Sequence, residues 1–211
     1  MGAGKVESSA AEPRTFVCLE FANTVSNHRA DNPGEKLGSY ADLVHWARKL
    51  EVLTDQEAEG LLEAASRKPA EAEAVLRKAK ALRETIFNIF SSVAHGRAPL
   101  RPDLAILNTE FARVMPYQQI LQEDGGFLIG WQNQSGDLSR PLWTVVRCTS
   151  NLLTSNELGR VSECDSDACT WLFIDRSKNA SRKWCDMGTC GNRAKSKRHY
   201  ARMHQQEAAE G

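Results

Sequence analysis

Four cysteines in two pairs constrain this chain more than any other feature. Cys164 and Cys169 lie five positions apart, as do Cys185 and Cys190, and fifteen residues separate the pairs. Each pair can close one tight loop, and four thiolates at this spacing suit a tetrahedral zinc ion. Two disulfides are the alternative. Met1 to Arg14 is polar and small, without the apolar run of a secretory signal, so a reducing, cytoplasmic setting is expected and metal is the better reading. All four positions are protein thiolates and none is left for water, so one structural zinc is expected. The spacing is also compatible with a redox-switchable centre that ejects its metal on oxidation.

The residues between the ligands predict the shape of the module. Thr170 to Ile174 is short, aromatic and β-branched and reads as a strand. Asp175 to Ser181 reads as a polar turn, and Arg182 to Trp184 as the returning strand that delivers Cys185. After Cys190 and Gly191, good helix formers run to about Gln206. The order knuckle, hairpin, knuckle, helix predicts a small treble-clef-like four-cysteine zinc finger with its last ligand at a helix start.

That helix is polar, so it needs a metal or a partner to anchor it. It carries Arg193, Lys195, Lys197, Arg198 and Arg202, and the hairpin adds Arg176, Lys178, Arg182 and Lys183. Formal net charge is zero for the whole chain, but residues 160–204 hold ten Lys and Arg against five Asp and Glu. Residues 1–159 hold 17 against 20. A basic end on a mildly acidic body points to a polyanion met by the end alone.

Cys185-x4-Cys190-Gly191-Asn192-Arg193, preceded by Trp171-Leu172-Phe173-x-Asp175-Arg176-Ser177, resembles the CGNR zinc finger across the whole Cys164–His204 stretch. The resemblance implies a DNA-binding module at the C-terminus of bacterial transcription regulators. It also implies an N-terminal ABATE domain, associated with stress-induced transcription regulation. The segment Leu19-x-Phe21-x-Asn23-Thr24 resembles the opening motif of that domain.

Ahead of the finger, the pattern predicts an α+β protein whose N-terminal domain is mostly helical. Residues 1–13 read as disordered, 14–159 as the ABATE-like domain, 160–206 as the finger and 207–211 as a tail. Phe16 to Val25 has helical spacing and ends at Asn23-Thr24. Ser39 can cap a helix with Leu43, Trp46, Ala47 and Leu50 on one face. Thr54-x-x-Glu57 is a capping box. Pro69 and Pro102 suit the first turns of two more helices, the first ending near His95 and Gly96. Tyr117–Gln122 and Phe127–Gln132 flank Glu123-Asp124-Gly125-Gly126 as a hairpin, and Pro141 to Glu157 is again helical. Cys18 and Cys148 read as buried core thiols.

The leading reading is a DNA-binding transcription regulator. Arg182, Lys183, Lys195, Lys197, Arg198 and Arg202 are the expected phosphate contacts. Asn192 and Arg193 define the motif that the chain resembles, and either contact DNA or brace the knuckle, with Arg193 stacked on Trp171. Arg193 and Lys197 stand one helical turn apart and could read guanine. The body would sense a small-molecule effector or form a homodimer. Asn23 and Thr24 would line a polar ligand pocket or, as local bonding favours, satisfy backbone groups at a helix end. The alternative is a protein-interaction or RNA-binding finger without direct DNA readout. The chain has no Walker loop, dinucleotide fingerprint, nucleophile elbow or H-E-x-x-H, so no enzyme is expected. No apolar run reaches the ~18 residues of a membrane helix.

Overall fold

Capping residues and prolines set where the helices of the body begin. The fold is that of a computed structural model, which describes residues 16–123, 125–132, 136–197 and 200. The elements in chain order are α1 Val17–Ala22, α2 Tyr40–Lys49, α3 Asp55–Arg67, α4 Pro69–Ala94, α5 Arg101–Val114, β1 Gln118–Glu123, β2 Gly126–Trp131, α6 Arg140–Leu153, β3 Val161–Glu163 and β4 Leu172–Ile174. The architecture is α+β with a largely helical body, as expected. Residues 1–13 and 207–211, together with Arg198 and Arg202, lie outside the described residues.

Ser39 and Thr54 start α2 and α3 with reciprocal capping boxes to Asp42 and Glu57. Pro69, Pro102 and Pro141 sit in the first turns of α4, α5 and α6, where a missing N–H leaves no bond unmade. Beyond the end of α4, Gly96 takes φ +66°, a left-handed stop that favours glycine.

The core forms around α4. Leu82, Ile86, Ile89 and Phe90 are fully buried along it, and α1, α2, α3 and α5 pack against it. α6 packs against α1, α2 and α5 with Leu142, Trp143, Val145 and Val146, all fully buried. Trp143 stacks on Tyr117 at 4.5 Å and meets the edge of Trp131 at 5.5 Å. Each such side chain contributes roughly 1.5–3 kcal/mol by leaving water.

β1 and β2 form the expected antiparallel hairpin, with Gly125 at φ +105° in its turn. Ile120 faces Ile129 across the pair. Together with Phe127 they form an exposed apolar face, Ile120 and Phe127 each being 76% accessible.

The second sheet differs from expectation. β4 pairs antiparallel with β3, which precedes the first cysteine ligand, in the register Val161 to Ile174 and Glu163 to Leu172. Arg182 to Trp184 forms no strand. Its backbone is engaged elsewhere: the Arg182 N–H donates to Asp175 at 2.8 Å, and the Lys183 carbonyl accepts from the Asp165 N–H at 2.8 Å. The connection from the body is therefore itself a strand of the finger's sheet, and β3 lies against α4. After Cys190, residues 192–197 are helical. The expected continuation to Gln206 falls mostly outside the described residues.

An ion network around the buried Arg83 shapes the loop that faces the finger. The Arg83 side chain, 4% accessible, donates to both carboxylate oxygens of Glu35 at 2.7 and 2.9 Å and to Thr24 Oγ1 at 3.1 Å. Glu84 receives Arg83 Nε at 3.1 Å and bonds His28 Nδ1 at 2.7 Å, and the His28 ring stacks on Phe87 at 3.7 Å. Burial pushes the Glu35 carboxyl up, but bonds from Arg83 and the Leu37 N–H outweigh it and hold it below its ordinary 4.5. Glu84 is likewise raised by burial and lowered further by His28 and Arg83. A depressed folded-state pKa lends stability that is present above the unfolded value and lost as acid protonates the group. Glu35→Gln should therefore destabilise the protein at neutral pH, by about 0.5–1.5 kcal/mol once screening of its exposed carboxylate is allowed for. It should also flatten the loss of stability below about pH 4.5. Urea unfolding across a pH series measures both.

Candidate metal centre and its basic face

Short local bonds fold each cysteine loop before any metal is considered. The Cys164 N–H donates to the Trp171 carbonyl and the Cys169 N–H to the Ser166 carbonyl, each at 2.9 Å. In the second loop, Asp186 accepts from the Thr189 N–H at 2.7 Å and its hydroxyl at 2.6 Å. This caps the wide turn Met187–Gly191 that presents Cys190. The Asp175 carboxylate, 1% accessible, receives the Ser177 and Arg182 N–H groups at 2.8 Å each and shapes the loop between the pairs. Burial pushes this carboxyl up, and those bonds outweigh it and hold it below its ordinary range.

The four sulfurs converge. All lie within 4.8 Å of one another, and Cys169–Cys185 and Cys185–Cys190 are each 3.7 Å apart. A tetrahedron with zinc–sulfur bonds of about 2.3 Å has edges of about 3.8 Å, so the arrangement fits one zinc held by four thiolates. Cys164, Cys169 and Cys190 are buried and Cys185 half-buried. The bond with Cys185 draws the Cys169 thiol down to about 5, while the same bond and burial push Cys185 well up. Zinc replaces such shared protons, because the thiolate is its ligand. Among the described residues, the apolar side chains that pack around the sulfurs are Trp171, Phe173 and Trp184, all partly buried. The metal thus supplies the folding energy that a small core cannot.

The finger is sewn to the body. Asn23 at the end of α1 donates from its amide nitrogen to the Leu172 carbonyl at 2.9 Å and accepts from the Leu172 N–H at 2.8 Å. Its side chain thereby pairs with β4 as a neighbouring strand would. Beside it, Trp171 Nε1 donates to the Val25 carbonyl at 3.0 Å, with the Lys36 ammonium 4.5 Å over its ring. The His28 N–H donates to Thr170 Oγ1 at 2.9 Å. Glu163, its side chain 4% accessible, takes the Ser91 hydroxyl at 2.6 Å and pairs with Arg29. Thr24 Oγ1 donates to the Phe21 carbonyl at 2.8 Å and accepts from Arg83. The polar groups of Asn23 and Thr24 are thus engaged within the protein.

The basic residues divide into two sets. Arg182 is exposed but turns inward: Nε donates to the Trp184 carbonyl at 2.7 Å, Nη2 donates to the Cys185 carbonyl, and the guanidinium covers Phe173 at 4.8 Å. Asn192 donates to the Gly188 carbonyl at 2.9 Å and so ties the helix start to the knuckle. The other set faces water. Arg193 and Lys195 are exposed, with no hydrogen-bond or ion-pair partner among the described residues. Lys183 lies 3.7 Å from Asp165, and Lys197 pairs with Asp167, all four side chains being exposed. Trp171 is covered by Lys36 rather than by Arg193. No local pattern marks His28, Arg29, Lys36 or Glu163 as seam residues. Their partners are far away in sequence.

Residues 16–156 match the family model of the ABATE domain, described as "Putative stress-induced transcription regulator". Residues 160–203 match the model of the CGNR zinc finger. No curated protein matches the chain.

Removing the Asn23 amide would leave two buried backbone groups of Leu172 unpaired, at about 1–3 kcal/mol each. Asn23→Ala should therefore speed zinc loss to a chelator by about tenfold or more, while the body retains its helical circular dichroism. Chelator competition followed by absorbance measures the rate. An unchanged rate would show that the seam does not hold the finger.

Proposed function

Because the chain belongs to the ABATE family and carries a CGNR zinc finger behind that domain, we propose that it is a transcription regulator whose finger binds DNA. The observation that carries the reading is the set of exposed cations on a metal-anchored helix: Arg193 and Lys195 without protein partners among the described residues, and Lys197 beside them. Arg193 and Lys197 share one helical face. Lys183 and Lys197 meet exposed aspartates, and such surface pairs are worth about 0–1 kcal/mol, so a phosphate can displace them. Arg198 and Arg202 extend the same cationic run in sequence. Arg182 and Asn192 serve as braces that hold the knuckle to its helix. The zinc is structural in this reading and takes no part in chemistry.

The body contributes the second half of the function. A small finger binds weakly alone, and two copies reading paired half-sites overcome this. The exposed apolar face of Ile120, Phe127 and Ile129 is the surface we assign to self-association. Effector binding is assigned to a cleft of about 560 Å³ lined by Glu57, Gly60, Arg67, Trp131 and Arg140. There Arg140 lies 5.4 Å over Trp143, donates to Glu57 at 2.9 Å, and keeps Nη1 buried without a partner among the described residues.

The zinc-loaded protein should bind mixed duplex DNA with an affinity that falls steeply with salt. The triple variant Arg193→Ala, Lys195→Ala, Lys197→Ala, with its zinc content confirmed, should bind weakly. Its log–log salt slope should be shallower by about 2–3, near 0.9 per lost phosphate contact. Fluorescence anisotropy across a salt series measures this. No binding at low salt with zinc in place would instead make the finger a protein-interaction module. Phe127→Lys should shift the protein toward monomer in sedimentation velocity without changing zinc content.

A further inference from the structure

We propose that Cys18 and Cys148 form a reversible disulfide, making them a redox modification site in the body separate from the four-sulfur centre. The two residues are 130 positions apart, yet the fold sets their Sγ atoms 3.0 Å from each other. Cys18 lies in the first turn of α1 and Cys148 in the middle of α6. The Cys18 N–H, which has no acceptor within its own helix, donates to Cys148 Sγ at 3.4 Å. A disulfide needs about 2.05 Å between the sulfurs, so the pair must close by about 1 Å. The pair stands apart from any metal-binding group among the described residues, where His, Cys, Asp and Glu cluster closely only at Cys164, Cys169, Cys185 and Cys190.

The surroundings make the two thiols unequal, as a redox pair requires. Cys18 is fully enclosed, and burial pushes its thiol well up. Cys148 is half-buried; the bond from Cys18 draws its thiol down against the effect of burial, aided by the charge of Arg147. Arg147 is held in place by its bond to the Ile129 carbonyl at 2.8 Å and by the face of Trp131 at 4.9 Å. Cys148 is therefore the sulfur that meets the oxidant, and Cys18 the one that resolves it.

The oxidant is a hydroperoxide, with hydrogen peroxide the simplest. The Cys148 thiolate attacks one peroxide oxygen, the O–O bond breaks, and a sulfenic acid forms as hydroxide leaves. Cys18 sulfur then attacks Cys148 sulfur, the S–O bond breaks, and the hydroxyl departs as water with the Cys18 proton. The hydroxide takes up the proton that Cys148 lost on forming its thiolate, so two thiols and one hydrogen peroxide become one disulfide and two waters. A dithiol reductant reverses the step by exchange. The bond would join α1, whose end carries the Asn23 clamp on β4, to α6, which leads into β3. The inference does not depend on what the finger binds.

The test uses the full zinc-loaded chain and hydrogen peroxide, quenched by denaturation in an alkylating reagent with a chelator. The chain has six cysteines, so alkylation should fall from six thiols to four. Peptide mapping should find Cys18 joined to Cys148, and dithiothreitol should restore all six thiols. Cys148→Ser, checked for unchanged helix content, should keep its five thiols at the same dose. Six thiols surviving excess peroxide would overturn the proposal. So would loss confined to the finger cysteines, or oxidation of Cys148 without linkage to Cys18. Should Cys148→Ser fail to fold, the wild-type peptide map decides the matter alone.

Discussion

The amide of Asn23 sets where the finger sits. A primary amide offers one donor and one acceptor in a plane, the same pattern that an extended peptide presents to its neighbour. Asn23 uses both on Leu172, so β4 has β3 on one side and a single side chain on the other. An unpaired buried backbone group is expensive, and here the body removes two such groups from the finger. The rest of the seam follows in register: Trp171 to Val25, Thr170 to His28, and Glu163 between Ser91 and Arg29. The finger is a fixed extension of the body rather than a bead on a tether.

Within the finger the sulfurs take the place of a core. The apolar side chains around them, Trp171, Phe173 and Trp184, are only partly buried. Its polar loops are therefore ordered by directed bonds, with Asp175 gathering one stretch and Asp186 capping the turn at Cys190. Arg182 belongs to this frame, since its donors close on the backbone around Cys185. A count of positive residues treats Arg182 and Arg193 alike. Their geometry separates a cation that holds the module together from one whose side chain has no partner among the described residues.

Much of the body was legible from local signals, because those signals are themselves local physics. Capping residues, first-turn prolines and apolar spacing act within a turn or two, so the starts of α2, α3, α4 and α5 could be read directly. The cysteine spacing was equally plain, since loop closure on one metal depends on short stretches of chain. The finger's strand pairing was misplaced for the converse reason. Arg182 to Trp184 has the composition of a strand, but its backbone groups were claimed by Asp175 and Asp165. Val161 to Glu163, three residues in a connection, took the ladder instead. Asn23 showed the same limit: an Asn after a helix commonly bonds nearby backbone, and this one bonds 149 positions away.

By itself the sequence determined the helix starts, the hairpin turn at Gly125, the four-thiolate centre and the concentration of positive charge after Cys190. Each of these rests on interactions spanning a few residues or on chemistry that no fold can alter. The tertiary structure alone decided that Arg182, among the finger's cations, is a brace, which strand completes the finger's sheet, how the finger docks on α1 and α4, and that Cys18 meets Cys148. These are contacts between distant segments. They depend on which backbone groups remain unpaired once the local elements have formed, and that remainder exists only in the assembled fold.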